Sequence, residues 1–203
     1  MSLLPAAADS RVSHIDTARL RLRRWTPRDL PAFAAMNADV EVNRHLLGPI
    51  DSATSRAMMQ RIEAHFSVHG FGLWAIERRD VSELLGYVGL QMVPFDAPFT
   101  PAVEVGWRLV RAAWGQGYAT EAARAAVDDG FNRLDVEQIV AFTVHANTRS
   151  EAVMQRLGMQ RDIEGDFEHP RLPVRHPLRA HRLYRLHRGE WLRSRRGEAV
   201  PAA

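Results

Sequence analysis

An alternating apolar segment that runs into two glycines and then straight into a helix constrains this chain more than any other feature. Val105, Trp107 and Leu109 alternate with Gly106 and Arg108, as a half-buried strand requires. Trp114-Gly115-Gln116-Gly117-Tyr118 follows. Ala119, Ala122, Ala123, Ala126, Val127 and Phe131 then recur at helical steps, with Glu121 in the first turn. Strand, glycine turn and helix start together make an anion site. Glycine lets the backbone approach a ligand, and the first N–H groups of a helix point outward with the positive end of its dipole. The same glycines also suit a strand-to-helix turn on steric grounds alone, so this fragment leaves both readings open. Two phosphate loops are excluded. The Walker loop needs a lysine after its second glycine, and this chain has no lysine. The dinucleotide fingerprint needs a third glycine where Thr120 stands.

A second segment narrows the choice. Residues 138–145 read as a strand, followed by Ala146-Asn147-Thr148-Arg149-Ser150, a short helix to Leu157, and Gly158-Met159. Asn147 suits a helix start and Gly158 a helix end, which accounts for both residues locally. Glu104-Val105-Gly106-Trp107, the glycine turn through Ala122, Asn147-x-x-Ser150 and Leu157-Gly158-Met159 occur in that order. They are joined by Gly165-Asp166-Phe167-Glu168-His169-Pro170 and by His181-Arg182-Leu183-Tyr184-Arg185-Leu186. Over roughly residues 17–192 the chain resembles the Gcn5-related N-acetyltransferases (GNAT superfamily), in the branch that holds RimJ and RimL. The resemblance implies an α+β fold: a single domain with a central mixed, mostly antiparallel sheet flanked by helices, and splayed strands forming an acyl-CoA cleft.

The element pattern agrees. Residues 1–16 are expected to be a loose lead-in, 17–194 the domain, and 195–203 a frayed tail. Residues 17–25 read as a first strand, Pro27 and Asp29 as a helix opening, and Asp51-Ser52 as another with Met58, Met59, Ile62 and Phe66 on one face. Residues 71–77 and 84–92 read as paired strands, 94–101 as a proline-rich loop, and 103–109 as the strand before the turn. Residues 160–167 and 181–188 read as a long-looped hairpin, and 189–194 as a closing turn.

Composition removes other classes. With no cysteine there is no disulfide, thiolate ligand or acyl-cysteine intermediate. No apolar run approaches the roughly twenty residues of a membrane span and no signal pattern opens the chain, so no membrane partner and a cytoplasmic location are expected. All 27 basic residues are arginine, and nine of them fall after residue 170 against two acids. That basic end alternates with apolar residues and lacks interleaved aromatics, so it reads as a strand with a solvated face more readily than as a nucleic-acid surface. His65 and His69 have metal-ligand spacing on a helix, but no acidic or cysteine cluster accompanies them, and no metal is expected. Apolar faces on several elements would permit a homodimer without demanding one.

Acetyl transfer from a thioester to an amine needs a held donor, a deprotonated amine and a stabilised leaving thiolate. The resemblance implies acetyl-CoA as donor. Its diphosphate is expected on the main-chain N–H groups of Gly115, Gln116, Gly117, Tyr118, Ala119 and Thr120, and its pantetheine arm beside Leu109 and Val110 as an added strand. Asn147 is expected to hold a pantetheine amide, to cap its helix, or both. Glu104, an acid in an otherwise apolar strand, is the candidate general base; a solvated strand position or a partner for an arginine accounts for it equally well. Many relatives place a tyrosine where this chain has Met154, which has no proton to give. The RimL-like resemblance implies Ser150 in its stead, against the plain reading of a serine in a helix's first turn. The family's glutamine or arginine three residues before the first glycine is Ala112 here. The acceptor is expected to be a primary amine of a protein N-terminus or of a small molecule. A silent acyl-CoA-binding module is the alternative.

Overall fold

The computed structural model describes residues 12–196, which gather into two compact units. The first runs through Gln91 and resumes over Val105–Leu134; the second comprises Met92–Glu104 and the chain from Asp135 onward. In the first unit lie β1 (His14–Asp16), β2 (Leu20–Arg23), α1 (Leu30–Ala38), α2 (Ser52–His69), β3 (Leu73–Arg78) and nearly all of β4 (Leu84–Met92). It also takes β5 (Val103–Leu109) from Val105 on, and α3 (Tyr118–Arg133). Its strand order is β1-β2-β3-β4-β5, with β1 to β4 antiparallel in sequence.

Local chemistry sets these elements. Asp51 caps α2 by accepting the Thr54 N–H (2.7 Å), and Gly70 ends it in the left-handed conformation. β2 alternates Leu20 and Leu22, both fully buried, with Arg21 and Arg23. Phe33, Ile76, Val88, Val105, Val127 and Phe131 complete a core in which each side chain is worth about 1.5–3 kcal/mol of burial. Arg23 ties three elements together. Its guanidinium meets Asp29, ahead of α1, at 2.8 Å and Glu77 on β3 at 2.6 Å, and all three side chains are largely shut from water.

The second unit holds β6 (Gln138–Val144), α4 (Thr148–Arg156), β7 (Gln160–Glu168), β8 (Ala180–His187) and α5 (Arg188–Arg195). β8 lies between β6 and β7 and is antiparallel to both, as expected of the long-looped hairpin. β5 enters this unit through Glu104, which pairs in parallel with Val140; among the described residues the β5–β6 register is that single pair. Val93, Phe99, Val140 and Leu183 form its core, with Phe95, Phe142 and Phe167 packed against them. The mixed, mostly antiparallel α+β architecture is the one expected from the sequence.

Three local expectations differ from the structure. Within the stretch taken as a loose lead-in, His14–Asp16 forms β1, pairing with Arg21–Arg23 and fastened by a two-pronged Arg21–Asp16 contact (2.8 and 3.0 Å). Residues 1–11 lie outside the described residues. The strand expected over 17–25 is shortened to Leu20–Arg23, because Thr17 exchanges bonds with Leu20 and turns the chain ahead of it. The closing turn is the helix α5, anchored by Trp191 at 3% exposure, and Gly189 disguises it because glycine disfavours helix interiors. Of the tail expected from 195, residues 197–203 lie outside the described residues.

Candidate functional site

β5 delivers the chain to the glycine turn. Val110 still donates its N–H to the Leu85 carbonyl on β4 (2.8 Å), and the Leu109 carbonyl accepts the Trp114 indole N–H (3.0 Å). After a short 3-10 turn, Arg111–Ala113, Gly115 and Gly117 both adopt left-handed φ values, 75° and 80°. A Cβ at either position would be strained there. Gly117 is the N-cap of α3, and no side chain caps that helix. The first helical bond runs from the Glu121 N–H to the Gly117 carbonyl (3.0 Å), so Tyr118, Ala119 and Thr120 have no intrahelical acceptor for theirs. Gly115, Gln116 and Gly117 are exposed, and a Cβ built on Gly115 would meet nothing within 4 Å. This is an open surface of main-chain donors at the positive end of a helix, and it fits a diphosphate.

The turn is braced by residues far away in sequence. Arg19, in the β1–β2 connection, donates from Nη1 to the Gln116 carbonyl (2.9 Å) and pairs with Glu121 (2.6 Å). Thr17 Oγ1 and the Arg19 N–H also donate to Glu121 Oε1 (2.6 and 2.9 Å). Burial pushes the Glu121 carboxyl up, but these hydrogen bonds outweigh it and hold the group below its ordinary range. The Arg19 guanidinium lies 4.5 Å from the Tyr118 ring centroid.

In the second unit, Asn147 caps α4: its Oδ1 accepts the Ser150 N–H (3.3 Å) and its Nδ2 donates to Thr143 Oγ1 (3.0 Å). Ser150 is half-buried in the first turn. Met154, a thioether with no proton to give, is 2% exposed. Glu104 is half-buried on β5 opposite Val140. Phe142, Phe167, His169 and His181 form a ring cluster, with His169 and His181 5.2 Å apart. Burial lowers the pKa of both histidines, and that of His65, whose Nδ1–H donates to the Phe71 carbonyl (2.8 Å). Among the described residues no group of three or more His, Asp or Glu is placed to hold a metal. No described helix is long and apolar enough to cross a membrane.

The profile of the acetyltransferase (GNAT) domain matches residues 19–160, more than half of the chain. The chain belongs to the GNAT family of acetyltransferases. It is 30% identical over 152 residues to the uncharacterized N-acetyltransferase YoaA of Bacillus subtilis, covering 73% of this chain and 83% of that one. An acetyltransferase structure from Agrobacterium tumefaciens is 28% identical with a TM-score of 0.69, over 87% of this chain and 95% of that one. Mycobacterium smegmatis RimJ, solved in complex with CoA-disulfide, shares the fold at a TM-score of 0.64 and 21% identity, over 83% of this chain and 81% of that one.

The GNAT domain thus draws on both units. Within the first, the structure gathers Leu109, Val110, Gly115, Gln116, Gly117, Tyr118, Ala119 and Thr120 into one strand, turn and helix start, in the order the sequence predicts. One of these differs in detail: the Val110 N–H is committed to β4 and its carbonyl accepts the Ala113 N–H (3.0 Å), so its main chain is already engaged. Asn147 is the helix cap of the local reading, and Ser150 is the partner it caps. Thr17 and Arg19 went unread in the sequence. An arginine in an alternating basic strand carries no signal of a partner 102 residues away.

Proposed function

We propose that the protein moves the acetyl group of acetyl-CoA to a primary amine by direct attack within a ternary complex. The observation that carries this reading is the exposed glycine turn before α3, uncapped by any side chain, inside a GNAT domain. Main-chain N–H groups of residues 115–120 would hold the diphosphate, and Leu109 at the end of β5 with Val110 after it would flank the pantetheine arm. Asn147 would bind a pantetheine amide in addition to capping α4.

When bound, acetyl-CoA supplies the activated acyl group. The chain supplies the proton handling. Glu104 removes a proton from the acceptor ammonium, directly or through water, and the Ser150 hydroxyl donates a hydrogen bond to the departing sulfur. The RimJ/RimL-like resemblance suggests a protein N-terminal amine as acceptor, with small amines the other class. A cytoplasmic setting fits a cysteine-free chain that uses this donor.

One observation favours a second reading, a CoA-binding module without turnover: Met154 stands buried where many relatives carry the acid. Purified protein with acetyl-CoA and a panel of N-terminal peptides and small amines separates the two. Release of free thiol with at least one acceptor class is the expected result. CoA binding without release on any acceptor would favour the module, and failure to bind CoA would end both.

A further inference from the structure

If the diphosphate lies on the glycine turn, as proposed above, Glu121 is awkwardly placed. Its carboxylate belongs to the first turn of α3, where negative charge suits the helix dipole but opposes an incoming diphosphate. Four donors converge on it. Thr17 Oγ1 and the Arg19 N–H reach Oε1 (2.6 and 2.9 Å), and Arg19 Nε and Nη2 reach Oε2 (2.7 and 2.6 Å). The side chain of Glu121 is 18% exposed against 46% for Arg19. Loss of the arginine would therefore leave a largely shielded anion without its countercharge.

The same guanidinium acts on the turn itself. A trans peptide is planar, with its C=O and N–H directed to opposite sides. Tying the Gln116 carbonyl to Arg19 Nη1 (2.9 Å) therefore turns the Gly117 N–H away from the β1–β2 connection. The Gln116 side chain fastens the other end of the turn by donating to the Ala112 carbonyl (2.7 Å). Gly117, left-handed and without a Cβ, lets this peptide rotate more freely than another residue would, and the brace removes that freedom.

We propose that Arg19 is a positioning residue of the donor site: it neutralises the Glu121 carboxylate and sets the 116–117 peptide so that its N–H faces the diphosphate. The β1–β2 hairpin is on this account part of the coenzyme site, acting through the turn.

Calorimetric titration with CoA and with pantetheine, which lacks the diphosphate, tests this on the full chain. Arg19→Gln is expected to weaken CoA binding about tenfold, as loss of a charged hydrogen bond does, and to leave pantetheine binding unchanged. Adding Glu121→Gln to that variant is expected to recover part of the loss, because the offending charge goes with it while the tie to the Gln116 carbonyl stays broken. Arg19→Lys, which keeps the charge but not the fork, should retain more CoA affinity than Arg19→Gln and covers the case in which the latter folds poorly. Unchanged CoA affinity in Arg19→Gln would overturn the proposal. So would an equal loss for CoA and pantetheine, which marks a structural role alone, or a double variant weaker than the single one. Failure of the unaltered protein to bind CoA would show first, would be a failure of the donor reading itself, and would take this proposal with it.

Discussion

At Gly117 a φ of 80° and an exposed position meet in the residue that caps α3. A glutamate there would carry a strained backbone and bring a negative charge to the donor surface. Gly117→Glu is expected to fold, since its Cβ would meet only Arg19 Nη2 at 3.5 Å, and to lose CoA binding. Calorimetry on the folded variant reads this directly; retained affinity would remove the turn as the diphosphate site. Glu104 and Ser150 are matters for kinetics. Glu104→Gln should lower kcat about a hundredfold with CoA affinity retained, and should flatten the acidic limb of the pH–rate profile. An unaltered profile would remove Glu104 as base. Ser150→Ala is expected to lower kcat about tenfold or more while CoA still binds. A fall in CoA affinity with kcat unchanged would instead make Ser150 a binding residue.

At the scale of elements, the Arg23 cluster decides how β2, the approach to α1 and β3 are held in place. Asp29 is 4% exposed, and its carboxyl stays below the ordinary range: burial raises it, but the Arg23 guanidinium and Thr26 more than compensate. Arg23→Met would leave two shielded carboxylates facing each other without their cation. The expected cost is about 3 kcal/mol, measured as a lowered urea midpoint. A midpoint within error of the unaltered protein would show that solvent or relaxation replaces the arginine. The elements themselves were legible to different degrees. β4 and β5 have the bounds that alternation and turn residues indicate, because both strands are long and flanked by loop-forming residues. β1 is three residues long and exists through its pairing with β2, so no periodicity announces it. α5 depends on Trp191 finding a buried place, which a window containing Gly189 and several arginines conceals.

For the whole molecule, three histidines set a pH dependence of stability. Burial lowers the folded-state pKa of His65, His169 and His181 below the ordinary 6.5, assisted at His169 by the neighbouring His181. Just below pH 6.5 the unfolded chain therefore binds more protons than the folded one. Stability is full above that pH and is lost as the pH falls through 6.5 toward the folded values. The urea midpoint should accordingly drop between about pH 7.5 and pH 5.5, above the range where paired carboxylates begin to protonate. His181→Phe should shallow that drop; a midpoint independent of pH across the interval would contradict the assignment.

The sequence by itself determined the run of strands and helices from β2 to β8, the glycine turn at the start of a helix, and membership in a family of acetyl-transfer proteins. Each of these is written in residues close together along the chain, where hydrophobic period and backbone preference act over a few positions. Tertiary structure alone decided that Arg19 and Thr17 clasp Glu121, that Arg23 joins Asp29 to Glu77, and that three rings of the second unit gather at His181. Ion pairs and ring contacts between distant residues form only once the backbone has brought them within a few ångströms. Charge and aromaticity state what a side chain can bind, not where its partner will be.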